Sequence, residues 1–548
     1  MTIKSCPRFL RLSDNTVNTS LKKVYGAPGT GKTTWLIKYM EDSGIPFERI
    51  AFVSFSKATI SNLKARLSLD PNQSQYFRTI HSMNFYLLGT KREQMAHQHL
   101  HSFDAKFSKE FLQAEAKKSE FTDGATKTAN DTIDDDFYRQ MMEERKLLLP
   151  RDYVPPRYFR YADLYLNFKE RYFRWLRDND YVDFVGLLEQ GIKENKIPPV
   201  DLLCVDEWQD LSPLQVKQVT VWSQNIPLSV HAGDDDQTIH EWAGARNQDF
   251  LDFPTFTPTE NKTIILNKTY RLPTSILDMS VSFIQKNKKR VHKDFTAVKT
   301  DRGIIEYTNI DKVADTLREQ NKVGTCKVLV RNNALKRYII KDLNMRGIPT
   351  SLVLEKPVQA IALVSEKKKE LTIGDLETLS TNPAFHGSKH FKKGGKKGLS
   401  ALARSLSSAG EDTIKVEHLI NYDVKEILVN ALKEGDCSIL NIKHDMDAAI
   451  KVYDQFGSEF KPVEISSIHQ AKGTEADTVV VCLDVVKKTY NESRLPEKIE
   501  EERRVWYVAM TRAKKNLIFL RPTYRYFYPS PMTDYVCLYL RNKREKTI

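Results

Sequence analysis

The sequence has few of the features that would place a protein in an oxidising compartment, around a zinc ion or across a bilayer. Only six cysteines, Cys6, Cys204, Cys326, Cys437, Cys482 and Cys537, occur in 548 residues, with no C-x-x-C pair and no accompanying histidine pattern. That spacing predicts neither a disulfide framework nor a zinc site, and points to a reduced, cytosolic setting. No stretch approaches the roughly 18 uninterrupted apolar residues of a membrane span, and the first residues lack the apolar core of a secretory signal. The expectation is a soluble protein with no membrane partner. No repeat of fixed period runs through the chain. An acidic balance is missing too: 84 Lys and Arg face 71 Asp and Glu, a net charge of +13. Lys-rich patches at Lys286 to Lys293 and Lys389 to Lys397 favour a polyanionic partner, with a solvated basic surface as the plainer reading.

A chain of this length exceeds what one hydrophobic core supports, so three or four domains are expected. Short apolar runs, Ile50-Ala51-Phe52-Val53, Leu202-Leu203-Cys204-Val205, Lys327-Val328-Leu329-Val330 and Thr478-Val479-Val480-Val481-Cys482, read as strands buried on both faces. Helical patterns separate them. The alternation predicts an α/β fold with parallel sheets, and its recurrence early and late predicts two such domains. Two tracts interrupt it. Residues 91–180 are polar, aromatic and helical, with Tyr161, Leu164, Tyr165, Phe168, Tyr172 and Trp175 on one helix face, a pattern of packed core more often than of a base-stacking surface. Residues 356–455 include a charged stretch and the basic, glycine-rich loop Phe391 to Gly398, whose lysines would meet phosphates or only water.

The segment Gly26-Ala27-Pro28-Gly29-Thr30-Gly31-Lys32-Thr33 fits the phosphate-loop pattern G-x-x-x-x-G-K-T, after a short strand-like run and at the head of a helical pattern opening at Thr34. Glycines let backbone N–H groups curl round phosphates at a helix N-terminus, Lys32 can neutralise the β and γ oxygens, and the Thr33 hydroxyl can ligate Mg²⁺. Such a site needs a buried strand ending in carboxylates. Leu202 to Asp206, followed by Glu207, supplies it, with Asp206 as the metal ligand and Glu207 as the group that polarises the attacking water. Arg271 and Arg512 are candidates for the positive charge that completes phosphoryl transfer, with a structural ion pair as the alternative for each.

A further tract, Ala232 to Ala245, places Gln237 five positions before Trp242. An acidic turn ending in glutamine can sense a nucleotide phosphate and its metal, while an indole nearby can stack on a base. One short segment would then couple two ligands, as a nucleic-acid motor requires.

Taken in order, these segments resemble the UvrD, Rep and PcrA group of superfamily 1 DNA helicases. The resemblance also covers Ser54-Phe55-Ser56, Thr79-Ile80-His81-Ser82, Tyr181-Val182-Asp183-Phe184, Tyr270-Arg271, Val330 to Ala334, His469 to Glu475 and Tyr507 to Ala513. It implies two RecA-like domains, 1A over 1–90 and 181–260 and 2A over 261–355 and 456–548, with a helical insertion 1B over 91–180 and a short insertion over 356–455 in the 2B position. It implies ATP and Mg²⁺ as cofactors, with Gly26, Ala27, Pro28, Gly29, Thr30, Gly31, Lys32, Thr33, Thr34, Tyr270 and Glu475 around the nucleotide, Tyr270 on the adenine and Glu475 on the ribose. Thr33 and Asp206 would hold the metal. The catalytic set is Lys32, Glu207, Gln237, Arg271 and Arg512, with Gln237 reading the γ-phosphate and both arginines reaching it from the second domain. Phe55, His81 and Trp242 would line a single-strand track. Ala243 stands where relatives carry arginine, and 356–455 is shorter than the second insertion of the large members.

The implied activity is ATP-driven, 3′ to 5′ movement on single-stranded DNA with duplex unwinding, in replication, repair or recombination. The implied partners are single strands, strand and duplex junctions, and replication or repair proteins, with RNA left open as a track. The expected compartment is a bacterial or phage-infected cytoplasm, the nucleus left open. Two other readings compete: a translocase that strips bound proteins without processive unwinding, and a catalytically silent DNA-binding scaffold. The intact Lys32, Glu207, Arg271 and Arg512 speak against the last.

Overall fold

In the computed structural model, the described residues are 18–100, 103, 133–348, 350, 355–385, 390–392, 398–403, 406, 413–440, 450, 453–454 and 462–545. They form two compact units. One comprises the described residues up to Arg271 together with Asn287–Val298; the other comprises Leu272–Lys286 and the described residues from Lys299 onward. Cys6 and most of the Lys389 to Lys397 patch lie outside the described residues, as do parts of both interrupting tracts.

The first unit is built on a six-stranded sheet. Its strands are β1 (Ser20–Gly26), β2 (Ile50–Ser54), β3 (Phe77–Thr79), β4 (Leu202–Asp206), β5 (Leu228–Gly233) and β6 (Glu260–Leu266). They lie in the order β3-β2-β4-β5-β1-β6 and every pairing is parallel. Every residue of β2 and β4 is buried, as expected of central parallel strands covered by helices on both faces. A two-strand pairing of β7 (Lys268–Thr269) with β8 (Thr296–Ala297) completes the unit. The change of unit therefore falls after Arg271 and not at 260/261: β6 pairs along its length with β1, and β7 takes its partner from the returning segment 287–298.

The aromatic tract is core. Helices Ile133–Lys146 and Ala162–Asp178 bury Phe137, Tyr165, Phe168 and Tyr172 in the same cluster as Val205, Trp208 and Trp222 of the sheet side. The Phe137 ring meets Tyr165 at 5.0 Å and Phe168 at 5.7 Å, both edge to face, the favoured geometry for aromatic pairs. Polar tips are satisfied: Tyr165 donates to Glu144 at 2.9 Å and Tyr172 to Asp183 at 2.9 Å. Asp183 also caps the helix Phe184–Lys193 by accepting from Gly186 N. The stripe read from helical spacing thus joins the insertion to the sheet domain.

The second unit has the strands β9 (Ile304–Thr308), β10 (Cys326–Val330), β11 (Glu370–Thr372), β12 (Thr413–Lys415), β13 (Glu464–Ser467), β14 (Ala476–Cys482), β15 (Asp484–Val485), β16 (Ala513–Leu520) and β17 (Tyr528–Pro529). Five of them form a parallel sheet in the order β13-β10-β14-β16-β9. β11 and β12 pair antiparallel within the second interrupting tract. That tract has its own hydrophobic cluster, in which Val358, Leu376, Leu399, Leu419 and Leu428 meet. The expected α/β class with two parallel sheets is what the chain adopts.

Phe168→Ala is expected to destabilise the first unit by about 3 to 5 kcal/mol through the cavity it leaves, whereas Phe159→Ala, at an exposed ring, should stay within about 0.5 kcal/mol. Denaturant unfolding of the full chain measures both; equal effects would refute the core assignment.

Candidate functional site

β1 ends at Gly26 and the chain re-enters helix at Lys32. Between them Gly29 and Gly31 adopt φ of 76° and 80°, a region that strains any side chain. Gly29 is doubly constrained, since a Cβ there would lie 2.3 Å from Cβ of Arg271. Helix Lys32–Asp42 has no side-chain cap, its Ncap being Gly31. Its N-terminus therefore brings uncapped N–H groups and a positive dipole end to the loop, the makings of an anion site. Lys32 is buried and donates to the Gly26 carbonyl at 2.9 Å. Thr30 closes the turn through Ala27 O at 2.8 Å, and Thr34 accepts from Arg66 at 3.4 Å.

The fold brings Thr33 and Asp206 together. The Thr33 hydroxyl donates to Asp206 Oδ2 at 2.8 Å, and Asp206 Oδ1 accepts from the Glu207 N–H at 2.9 Å. Burial, and then the charge of Glu207, push the Asp206 carboxyl up to about 6. A hydroxyl and a carboxylate converging at this distance form a hard-oxygen donor set that fits Mg²⁺, and a divalent cation would hold the carboxylate ionised. Glu207 itself sits at φ 52°, ψ 42°, a left-handed conformation that is costly outside glycine.

Glu207 and Gln237 are joined through a residue whose role the sequence did not disclose. Gln209 Nε2 donates to Glu207 Oε2 at 2.6 Å, and Gln209 Oε1 accepts from the Asp234 N–H at 2.9 Å. Gln237 Nε2 in turn donates to Asp234 Oδ2 at 2.8 Å. The only sequence signal for it is that Gln209 lies two residues after Glu207.

The acidic turn is fully buried and carries its own counter-ions. Lys293 Nζ lies 2.7 Å from Asp234 Oδ1 and 2.9 Å from Asp236 Oδ2, and also bonds Asp235. Arg290 holds Asp236 in a two-pronged pair at 2.9 and 2.7 Å, and Val291 N donates to Asp235 at 2.8 Å. Asp234, Asp235 and Asp236 cluster closely enough to suggest a cation site, but the Lys293 ammonium takes that place. Burial disfavours the charge of Asp234, yet Lys293 holds its carboxyl below the usual range; burial dominates at Asp235, which rises to about 6. Two members of the Lys286 to Lys293 patch are thereby corrected: Arg290 and Lys293 are spent on internal carboxylates and are not a surface for a polyanion.

Beyond Gln237 the chain reaches the surface. Trp242 is 68% exposed and Phe55 44%. His240 bridges them, stacked on Phe55 at 5.6 Å and edge-on to Trp242 at 5.9 Å. His81 joins a different group: it meets Phe184 edge-on at 6.1 Å, and Phe184 stacks on His97 at 5.1 Å. Burial, with the nearby charge of Lys146, pushes the His81 imidazole down to about 4, so it is neutral at physiological pH.

Tyr270 and Arg271 lie over the phosphate loop. Tyr270 N donates to Gly29 O at 2.9 Å and the Thr269 hydroxyl to Pro28 O at 2.8 Å. This corrects the expectation that Arg271 comes from the second domain: β7 hands it to the unit that carries the loop. Tyr270 is exposed, as a stacking surface must be. Arg512 and Glu475 belong to the second unit, at one corner of its sheet. Arg512 is buried, donating to Val508 O at 3.0 Å and Thr474 O at 3.4 Å, and Glu475 lies 3.6 Å from Lys514.

The family described as UvrD/REP helicase N-terminal domain matches residues 14–258, and that described as UvrD-like helicase C-terminal domain matches 386–521. A probable DNA helicase II homolog of Mycoplasma capricolum is 26% identical, over 58% of this chain and 54% of that protein. A putative ATP-dependent DNA helicase, YjcD, of Bacillus subtilis is 23% identical, over 92% of this chain and 77% of that protein. The ATP-dependent DNA helicase PcrA of Staphylococcus epidermidis is 28% identical over 33% of this chain and 28% of its own length. The chain thus spans about half of the first of these relatives and a larger share of the second.

Lys293→Met would deprive Asp234 and Asp235 of their buried ammonium while Arg290 still pairs Asp236, and the loss expected is about 3 to 5 kcal/mol. Without the ammonium the Asp234 carboxyl would rise above its unfolded value and that of Asp235, already raised by burial, would rise further, so the folded form binds more protons and the deficit grows as pH rises. Thermal midpoints from pH 5 to 8 should fall in the variant relative to wild type; parallel curves would contradict this account.

Proposed function

The chain belongs to the UvrD/Rep/PcrA-like helicases, and from that premise we propose that it is an ATP-dependent DNA helicase that moves 3′ to 5′ on single-stranded DNA and opens duplexes. The observation that carries the reading is the continuity of one segment: Gln237, tied by hydrogen bonds to the Glu207 carboxylate, lies five residues before an exposed indole that shares a ring cluster with Phe55. Nucleotide chemistry and base stacking are then read by the same stretch of backbone.

In this proposal Gly26 to Thr34 bind the phosphates of ATP, through loop N–H groups and the Lys32 ammonium. Thr33 and Asp206 hold Mg²⁺, which when bound neutralises phosphate charge. Glu207 orients the attacking water and accepts its proton. Gln237 contacts the γ-phosphate, and Arg271 and Arg512 supply positive charge to the transferring group, where phosphoryl transfer depends on it. Tyr270 stacks on the adenine and Glu475 meets the ribose. Phe55, Trp242 and His81 hold bases without regard to sequence, since every base has a π-face. We further propose that 356–455 stands in the 2B position, and that the partners are single strands and their junctions with duplex.

Strand displacement with 3′- and 5′-tailed duplexes tests the reading. Opening of the 3′-tailed substrate is expected; opening only from a 5′ tail would refute the polarity, and DNA-stimulated ATP turnover with no opening would leave a translocase.

Trp242→Ala is expected to preserve basal ATP hydrolysis while weakening single-strand binding by roughly 1 to 3 kcal/mol, the worth of one stacked base. Titration of ATPase stimulation with oligonucleotide measures it, and an unchanged half-saturation point would remove Trp242 from the track.

A further inference from the structure

We propose that Gln209 is a positioning residue for ATP hydrolysis, fixing the Glu207 carboxylate in register with the segment that carries Gln237. The inference rests on the nucleotide-hydrolysing reading given above. Gln209 is 1% exposed, and its amide spans two groups with opposite demands. The Asp234 N–H can only donate and the ionised Glu207 carboxylate can only accept. An uncharged side chain that offers an acceptor at one atom and a donor at the next satisfies both, and Gln209 does so at 2.9 and 2.6 Å. A weaker contact of the same Nε2 with Asp210 Oδ2 at 3.4 Å points the amide the same way.

A second observation is independent of those bonds. Gly233, the last residue of β5, has no positive φ that would call for glycine, yet a Cβ there would stand 2.6 Å from Gln209 Oε1 and 2.8 Å from the Phe250 ring. The missing side chain is the space that the Gln209 amide fills. Glu207 needs such a support because its left-handed backbone lifts it out of the strand that fixes Asp206. From Gln209 the connection continues through Asp234 to Gln237 at 2.8 Å. The water-orienting carboxylate and the γ-phosphate glutamine are therefore set by one amide, and a displacement of the 234–242 segment is transmitted to Glu207.

The test uses the full chain and two substitutions. Gln209→Glu keeps the volume and the acceptor toward Asp234 but removes the donor and adds a like charge beside Glu207; Gln209→Met removes both bonds. In each, kcat for single-strand-stimulated ATP hydrolysis should fall by about 30- to 100-fold, the scale of a misplacement near 1 Å, while KM and the affinity for a fluorescent ATP analogue stay within about twofold. Because Gln209 acts through Glu207, adding Gln209→Met to Glu207→Gln should produce no further loss, whereas a merely structural role would add its own decrement. Wild-type kcat in Gln209→Glu, or additive losses in the double variant, overturns the proposal. If the unsubstituted chain shows no DNA-stimulated turnover, it is the broader functional reading that fails.

Discussion

Three carboxylates do not sit together in a protein interior unless cations are held among them, and Lys293 with Arg290 meets that condition for Asp234, Asp235 and Asp236. Everything that the site needs from the 234–242 segment depends on this arrangement. It fixes Asp234, whose N–H and carboxylate connect Gln209 to Gln237, and it fixes the point from which the chain leaves the interior toward Trp242. Breaking such a buried network by removing one partner leaves uncompensated charge.

The same returning segment, 287–298, reaches the other side of the site. Thr296–Ala297 pairs with Lys268–Thr269, and Thr269 and Tyr270 bond the carbonyls of Pro28 and Gly29. Asn247 adds a third tie, donating to Lys289 O at 3.0 Å and accepting from Thr238 at 3.1 Å. One short stretch of chain thus holds the phosphate loop, the acidic turn and the base of the exposed indole within a single unit. Coupling between nucleotide and strand requires such a physical connection, and under the proposed function it would run through these hydrogen bonds and ion pairs of the first unit.

Much of this was legible in the sequence because its signals are local. Ile50 to Val53 and Leu202 to Val205 read as buried parallel strands since parallel sheets bury both faces, and Gly29 and Gly31 mark a loop whose backbone excludes side chains. Thr33 and Asp206 followed from the chemistry of the loop, though 173 residues separate them. Lys293 was not legible: in a run of lysines it looks solvated, and only the fold brings it to aspartates 58 and 59 residues away. Gln209 was not legible because its partner is the Asp234 backbone N–H, which only the fold brings to it, just past the end of β5. Arg271 changed units because β6 pairs with β1 and β7 with β8, which carries the first unit past the boundary at 260/261 that the resemblance implied. The aromatic stripe of Ala162–Asp178 was correctly weighed as core, since Tyr165, Phe168 and Tyr172 are buried.

In the proposed function, phosphate chemistry at the loop and base stacking at the surface are coupled through one segment. Steady-state ATP turnover of the full chain, measured with and without single-stranded DNA and with RNA in parallel, tests it most directly. Stimulation by DNA of about tenfold or more, comparable to the worth of one stacked base, is the predicted result. Identical turnover with and without polynucleotide would contradict the account.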